Sequence, residues 1–251
     1  MKNHMKAAVI GLALLAQGTA ASSAEIKVVT SVGVKAILEE LAPQFERTTK
    51  HTLKITFGTA VPLKRQIDAG ETFDVVILTP PMIDELVKQG KVAAGTPAVV
   101  AKSGIGVAIR KGGPKPDIGT ADALKKTLLS AKAIAYSKEG QSGTAMAKVI
   151  ERLGIAEEMK SKTILDTRPG GAVLNVVEGK ADLAFNLVSE ILPIAGAELV
   201  GPLPAELQSY VVFTAGIGAG AKEATIAKAF IDFLKAPAAV PVLKAKGMEP
   251  G

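Results

Sequence analysis

Four short turns of small and polar residues carry most of the chemistry this chain could do. They are Ser31-Val32-Gly33, Gly58-Thr59-Ala60-Val61, Gln141-Ser142-Gly143-Thr144 and Pro169-Gly170-Gly171-Ala172. Each stands between a strand-like and a helix-like segment, so each opens a helix. The first N–H groups of a helix lack an internal partner, and the aligned peptide dipoles leave partial positive charge there, about 0.3–1 kcal/mol per helix toward an anion. Glycine lets the backbone approach closely, and Ser and Thr add hydroxyl donors. One such turn is ordinary capping. Four of them, divided between the two halves of the chain, describe a cleft that holds an anion on neutral donors.

The elements that must position these turns alternate along the chain. Ile26 to Thr30 is short and β-branched, and Val34, Ile37, Leu38, Leu41 and Phe45 then recur at helical spacing. Thr52 to Phe57 alternates as a strand, and the next helix ends at Ala69-Gly70. Phe73 to Leu78 reads as a buried parallel strand, and Pro80-Pro81 starts a helix. The second half repeats this order. Strands are expected at Gly106 to Ile109, Ala133 to Tyr136, Ala181 to Leu187 and Tyr210 to Gly216. Helices are expected over Ala121 to Leu129, after the polar loop Ser137 to Gly143, after Arg168-Pro169-Gly170-Gly171, and from about Ala221 to the end. Such alternation means βαβ units, parallel sheets and helices on both faces. In open sheets of this kind the strand-to-helix turns gather at the carboxyl ends of the strands, where ligands bind.

Composition removes several classes of function. Cysteine is absent, which excludes a disulfide scaffold, a zinc-thiolate site and a cysteine nucleophile. Tryptophan is absent and aromatics are 4%, so no stacking platform is present. Lys2 and Lys6, the apolar run Ala7 to Ala16 and Ser22-Ser23-Ala24 have the form of a cleaved export signal over residues 1–24. Ten apolar residues reach about 15 Å as a helix, half a bilayer. Cleavage after Ala24 lowers the formal charge of +6 by two lysines, too little positive charge for nucleic acid. Export then leaves His51 as the one histidine, in a surface turn, and no G-x-S-x-G elbow accompanies it. No phosphate loop, dinucleotide fingerprint or metal-ligand spacing occurs, so no metal or cofactor is expected. Lys64-Arg65 and Lys125-Lys126 read as solvated surface pairs.

With these residues in view, the chain resembles the periplasmic molybdate-binding proteins of ABC importers. The likeness covers nearly all of residues 25–251. It rests on the first strand with Ser31, on Phe57-Gly58-Thr59-Ala60-Val61-Pro62-Leu63 followed by Arg65-Gln66-Ile67 and Ala69-Gly70, and on Asp74-Val75-Val76-Ile77 with Met82 and Leu86. The Ser142-Gly143 turn, Val177-Glu178 to Ser189-Glu190 and Ala229-Phe230-Ile231-Asp232-Phe233-Leu234 continue it in the same order. The resemblance implies an α/β, two-lobe periplasmic-binding-protein fold of type II, each lobe a mostly parallel sheet flanked by helices. It implies one lobe from 25–103 and 217–251 and another from 104–216, with crossings near Ser103-Gly104 and Gly216-Ile217. A monomer would close over a small oxyanion and deliver it to an inner-membrane ABC permease, with no catalysis.

The family's ligand positions carry over unevenly. Its first serine is Ser31, and its second falls on Ala60, beside Thr59 and ahead of the Val61 N–H. The second-lobe donors map near Ser142-Gly143 and Gly170, and a family tyrosine lands on Leu187. Arg168 adds a charge beside the fourth turn; pointed into the cleft, its planar fork suits a carboxylate, and pointed away it is a surface or inter-strand ion-pair residue. Tyr136 is either a further hydroxyl at a strand end or a core tyrosine. Three alternatives stay open at this stage: a small organic carboxylate as ligand, an enzyme on the same scaffold, and a sensing protein that presents its closed form to a receptor.

Overall fold

The computed structural model describes residues 23–251, so most of the expected export signal (1–24) lies outside the described residues. In chain order the elements are β1 (Glu25–Ser31), a 3-10 turn (Val32–Val34), α1 (Lys35–Thr49), β2 (Thr52–Gly58), α2 (Ala60–Asp68), β3 (Val75–Leu78) and α3 (Pro80–Lys88). The long β4 (Ala98–Arg110) follows, then α4 (Ala121–Ser130), β5 (Ile134–Ser137), α5 (Gln141–Arg152), α6 (Ala156–Lys160) and β6 (Thr163–Asp166). Next come α7 (Gly171–Val177), β7 (Leu183–Leu187), α8 (Val188–Ile191), β8 (Ala197–Pro202) and β9 (Tyr210–Ile217). The chain closes with α9 (Ala224–Lys235), α10 (Val240–Ala245) and a two-residue β10 (Glu249–Pro250).

Strand order is β2-β1-β3-β9-β4-β7-β5-β6, with β8 and β10 also on β4. β1 pairs in parallel with β2 and β3, and β5 with β6 and β7. These two parallel cores are joined by antiparallel strands. β9 pairs with β3, and β4 pairs with β9 through its first half and with β7 and β8 through its second. The fold is therefore α/β, as expected, but its sheets are mixed. The antiparallel share comes from β4 and β9, because β4 runs unbroken through Ser103-Gly104 and changes partner there rather than ending.

The return crossing expected near Gly216-Ile217 does not fit this pairing. β9 bonds to β3 over Thr214–Ile217 and, over Tyr210–Ala215, to Ala98–Gly104 of β4. All of Tyr210–Ile217 thus belongs with the first sheet, and the change of sheet precedes Tyr210.

Two-sided burial explains the unbroken apolar run of β3. Val75 and Ile77 enter the main core with Ile37, Leu41 and Phe45 of α1 and Phe230 and Leu234 of α9. Val76 and Leu78 point to the other face, against Leu63 and Ile67 of α2 and Ile83 and Leu86 of α3. In the second sheet Ala135 and Ala184 meet Val173 and Val176 of α7, while Ile134 and Phe185 face Met146 and Val149 of α5. Lys64, read from sequence as a surface residue, is buried instead. Its ammonium bonds both oxygens of Asp68 at 2.8 and 2.7 Å and Glu85 at 3.0 Å. Burial pulls the Lys64 pKa down, but those two carboxylates more than reverse it and hold it above the ordinary lysine value.

Candidate functional site

The carboxyl ends of both parallel cores open on one cleft. Ser31 ends β1, Thr59 follows β2, Thr79 follows β3, Ser137 ends β5, the Arg168–Gly171 turn follows β6 and Leu187 ends β7, and all of them line it. Val211 and Phe213 of β9 form part of its wall. The cavity is small, about 40 Å³, room for a few waters or one compact ion.

Each turn contributes a different donor set. Ser31 is 8% exposed, and its Oγ accepts the Gly33 N–H at 3.3 Å, which leaves its own proton to donate. α2 starts after Thr59 without a side-chain cap, and its first internal bond runs from Leu63 N to Thr59 O. The Ala60 and Val61 N–H groups are then without an intrahelical partner, and Pro62 has none to offer. In α3 both Pro80 and Pro81 lack an N–H, and Met82 N is already bonded to Thr79 O, so the Thr79 hydroxyl is the donor this turn supplies.

α5 is likewise uncapped at Gly140 and begins its internal bonding with Thr144 N on Gly140 O. Its first N–H groups, from Gln141 to Gly143, have no intrahelical partner. Ser137 Oγ accepts the Gly140 N–H at 2.8 Å and holds that turn in place. Gly143 itself lies behind the cleft. A Cβ there would run into the Ser137 carbonyl, so the glycine serves the close approach of α5 to β5.

The fourth turn is held by a carboxylate. Asp166 accepts the Arg168 backbone N–H at 2.8 Å, Arg168 Nε at 3.1 Å, Arg168 Nη2 at 2.7 Å and Asn175 Nδ2 at 2.9 Å. The Arg168 guanidinium, chiefly, holds the Asp166 carboxyl at about 2. The fork that sequence reasoning offered to a ligand carboxylate is therefore occupied by Asp166, although Arg168 does line the cleft. Gly170 adopts φ 69°, a left-handed turn that favours glycine.

At the end of β7 three side chains form a relay. The Leu187 N–H and the Ser142 hydroxyl both donate to Asn186 Oδ1, each at 2.9 Å. The backbone donor fixes which way the amide faces, so Asn186 Nδ2 points to Glu190 Oε2, at 2.9 Å. Ser142 thus lends its proton to Asn186. Glu190, on α8, lines the cleft and forms no ion pair among the described residues. As a residue it is only partly buried, but the surrounding protein desolvates its carboxyl and pushes the pKa up to about 7.

Of the residues singled out in the sequence, the structure brings Ser31, Thr59, Ala60, Ser142, Arg168, Gly170 and Leu187 to the cleft. Val61, Gly143 and Tyr136 are not among its lining residues. Tyr136 packs against the main core, and burial raises its pKa. Thr79, Ser137, Asn186 and Glu190 are lining residues that sequence reasoning did not single out. A threonine directly before Pro-Pro at the end of a buried strand was a usable signal for Thr79. Among the described residues no His, Cys, Asp and Glu group could hold a metal ion.

A cleft of uncapped helix starts between two parallel cores joined by antiparallel strands is the architecture of a type II periplasmic-binding protein. The chain belongs to the bacterial extracellular solute-binding proteins, whose family profile matches residues 26–249. It is similar to the molybdate-binding protein ModA of Azotobacter vinelandii, 30% identical over 243 residues that cover 95% of this chain and 94% of that one. It is also similar to an aconitate isomerase of a Pseudomonas species, 28% identical over 232 residues that cover 90% of this chain and 87% of the relative. The solved periplasmic molybdate-binding protein of Azotobacter vinelandii superposes with a TM-score of 0.77 at 26% identity, over 90% of this chain and 99% of that one.

Proposed function

We propose that this protein captures a small anion in the cleft between its two sheets and passes it to an inner-membrane ABC permease. One observation carries the reading: strand-to-helix turns from both parallel cores converge on a single cavity and present N–H and hydroxyl donors to it. Among the described residues, the only charged ones in its lining are Arg168, which Asp166 neutralises, and Glu190. An anion would rest on neutral donors, and the relatives named for molybdate support an oxyanion of that kind.

The protein would act in the periplasm as a monomer, exported by residues 1–24, without a metal or organic cofactor. The two sheets would form two lobes that hinge where β4 changes partner, at Gly104-Ile105, and at the return segment before Tyr210. Closure of that kind is a few-residue backbone rotation.

Two observations favour a second reading, a polycarboxylate in place of the oxyanion. Ala60 and Leu187 cannot donate a side-chain hydrogen bond, and a desolvated site discriminates by about 1–3 kcal/mol for each donor it lacks. Glu190, titrating near neutrality, is also a group able to take a proton from carbon and return it, the step by which an unsaturated tricarboxylate isomerises. The aconitate isomerase relative supports placing that substrate class in the test.

The test is calorimetry on residues 25–251, denatured and refolded to strip any carried ligand. The titrants are molybdate, tungstate and sulfate, then citrate and cis- and trans-aconitate. Oxyanion heat abolished by Ser31→Ala supports capture of an oxyanion. Heat from the carboxylates alone moves the assignment to that class. Interconversion of the aconitates, followed by proton NMR and lost in Glu190→Gln, would replace capture with catalysis.

A further inference from the structure

We infer that Glu190 makes capture proton-linked: the cleft takes up a proton together with its anion, and Glu190 Oε1 carries that proton and donates it to the ligand. The inference rests on the anion-capture reading and names the group that completes its donor set.

The geometry assigns the proton to one oxygen. Asn186 cannot turn over, because its Oδ1 is held by the Leu187 N–H and by the Ser142 hydroxyl. Its Nδ2 therefore donates to Glu190 Oε2 in either protonation state. A proton bound by the carboxyl must sit on Oε1, which has no hydrogen-bond partner among the described residues. Glu190 lines the anion cleft and also borders a second cavity with Lys35 and Glu39.

Among the described residues no neighbouring cation is placed to hold Glu190 ionised. Lys35 of α1 lies 3.6 Å from Glu39, and Arg168 is engaged by Asp166. On β4, which packs against α8, Lys102 is paired with Glu249, and Arg110 stands at the far end of the strand. On β8, Glu198 is paired with Lys115. Lys246, after α10, is paired with Glu40. β7 and the 3-10 turn bring no charged residue to α8.

An ionised carboxylate in this position would repel the anion that the turns attract. A neutral carboxylic acid instead supplies a hydroxyl donor, in a cleft where Ala60 and Leu187 supply none. Burial pushes the Glu190 pKa up to about 7, and a bound anion raises it further. The sign follows from the proton count. The complex holds one more proton than the free protein above neutrality, so affinity falls as pH rises past about 7 and levels off below about 6.

The experiment is titration calorimetry of the stripped protein at pH 8, with molybdate and separately with citrate as probes. The buffers are cations of different ionisation enthalpy, such as Tris and triethanolamine, so that no buffer anion competes. The expected heat varies linearly with buffer ionisation enthalpy, with uptake approaching one proton. Kd should rise about tenfold per pH unit above pH 8.

Glu190→Gln is the informative variant. Its carbonyl oxygen can accept from Asn186 and its amide takes the place of the protonated Oε1, so it mimics the neutral acid. It should bind at pH 8.5 as tightly as the parent protein at pH 6, with no proton uptake. Binding with buffer-independent heat overturns the inference and leaves the capture reading standing, as does a Glu190→Gln protein that keeps the pH slope. Absence of binding by either probe at every pH from 5 to 9 overturns both. If Glu190→Gln fails to fold by circular dichroism, the buffer dependence of the parent protein decides alone.

Discussion

The side-chain amide of Gln208 pairs with both backbone groups of Ile105, accepting its N–H at 2.9 Å and donating to its carbonyl at 3.0 Å. Ile105 is where β4 leaves β9 and takes up β7. A side chain thus stands in for a strand at the point where strand pairing changes hands. Gly104 keeps this pairing close, since a Cβ there would lie 3.1 Å from the Gln208 amide nitrogen.

Gln208→Ala would leave the Ile105 N–H without its partner, while the carbonyl keeps the Leu203 N–H at 3.0 Å. The expected loss is about 1–2 kcal/mol of unfolding free energy, read by urea denaturation. An unchanged denaturation midpoint would show that water replaces the amide at no penalty.

A second expectation concerns the turn after β6. A Cβ at Gly171 would run into the Asp166 carboxylate, which in turn organises Arg168 and Asn175. Gly171→Ala should lower stability by about 1–3 kcal/mol through overpacking and weaken any ligand of the cleft. Thermal melts and calorimetry read the two effects separately. Full stability with full affinity would mean that the turn relaxes freely.

Acid sensitivity follows from the same carboxylate. The Arg168 side chain, first among its partners, depresses the Asp166 pKa from 3.8 to about 2. A depressed carboxyl contributes stability that is present above its unfolded pKa and lost as pH falls through the folded one. The parent protein therefore loses this contribution between about pH 4 and pH 2. Arg168→Ala removes this contribution where it is present, so it should lower the unfolding free energy at pH 7 and raise the midpoint of acid unfolding followed by far-ultraviolet circular dichroism. Superimposable acid transitions would contradict the assignment.

Ala60 offers a gain of function. It is 7% exposed and lines the cleft at the start of α2. Ala60→Ser adds one hydroxyl donor at small steric change. If the ligand is a tetrahedral oxyanion, molybdate affinity should rise about tenfold, the equivalent of one hydrogen bond of about 1.4 kcal/mol. No gain in affinity would indicate that the anion does not reach this turn.

The fold was legible wherever elements carried their own periodicity. α1, α4, α5 and α9 have apolar stripes, and β1, β2 and β3 have clear ends. β6, β8, α6 and α8 were missed because they are four to six residues long, too short for a period to declare itself. β4 was read only over its second half because Ser103-Gly104 looks like a break, and nothing local reveals that the strand continues under a new partner.

The cleft was legible through turn chemistry and no further. Ser31, Thr59, Ser142 and Gly170 announce themselves as small polar residues before a helix. Asn186 and Glu190 do not, because their meaning depends on Ser142, brought from 44 positions away. Phe213 and Val211 reach the cleft only through the pairing of β9 with β3 and β4. Arg168 was visible, but its partner was not inferred, although Asp166 lies two residues before it.

The place of β9 bears on how the chain comes to be folded at all. β3 has β1 on one side and β9 on the other, and Val75 must wait for Ile217 before that second edge is satisfied. Pairings so distant in the chain are slow to form, because the loop must close before any contact rewards it. A chain threaded across a membrane from its N-terminus would present β1, β2 and β3 long before β9 arrives. Its first sheet, begun earliest, is among the last parts that can be completed, and until then the β3 edge is open to any passing strand.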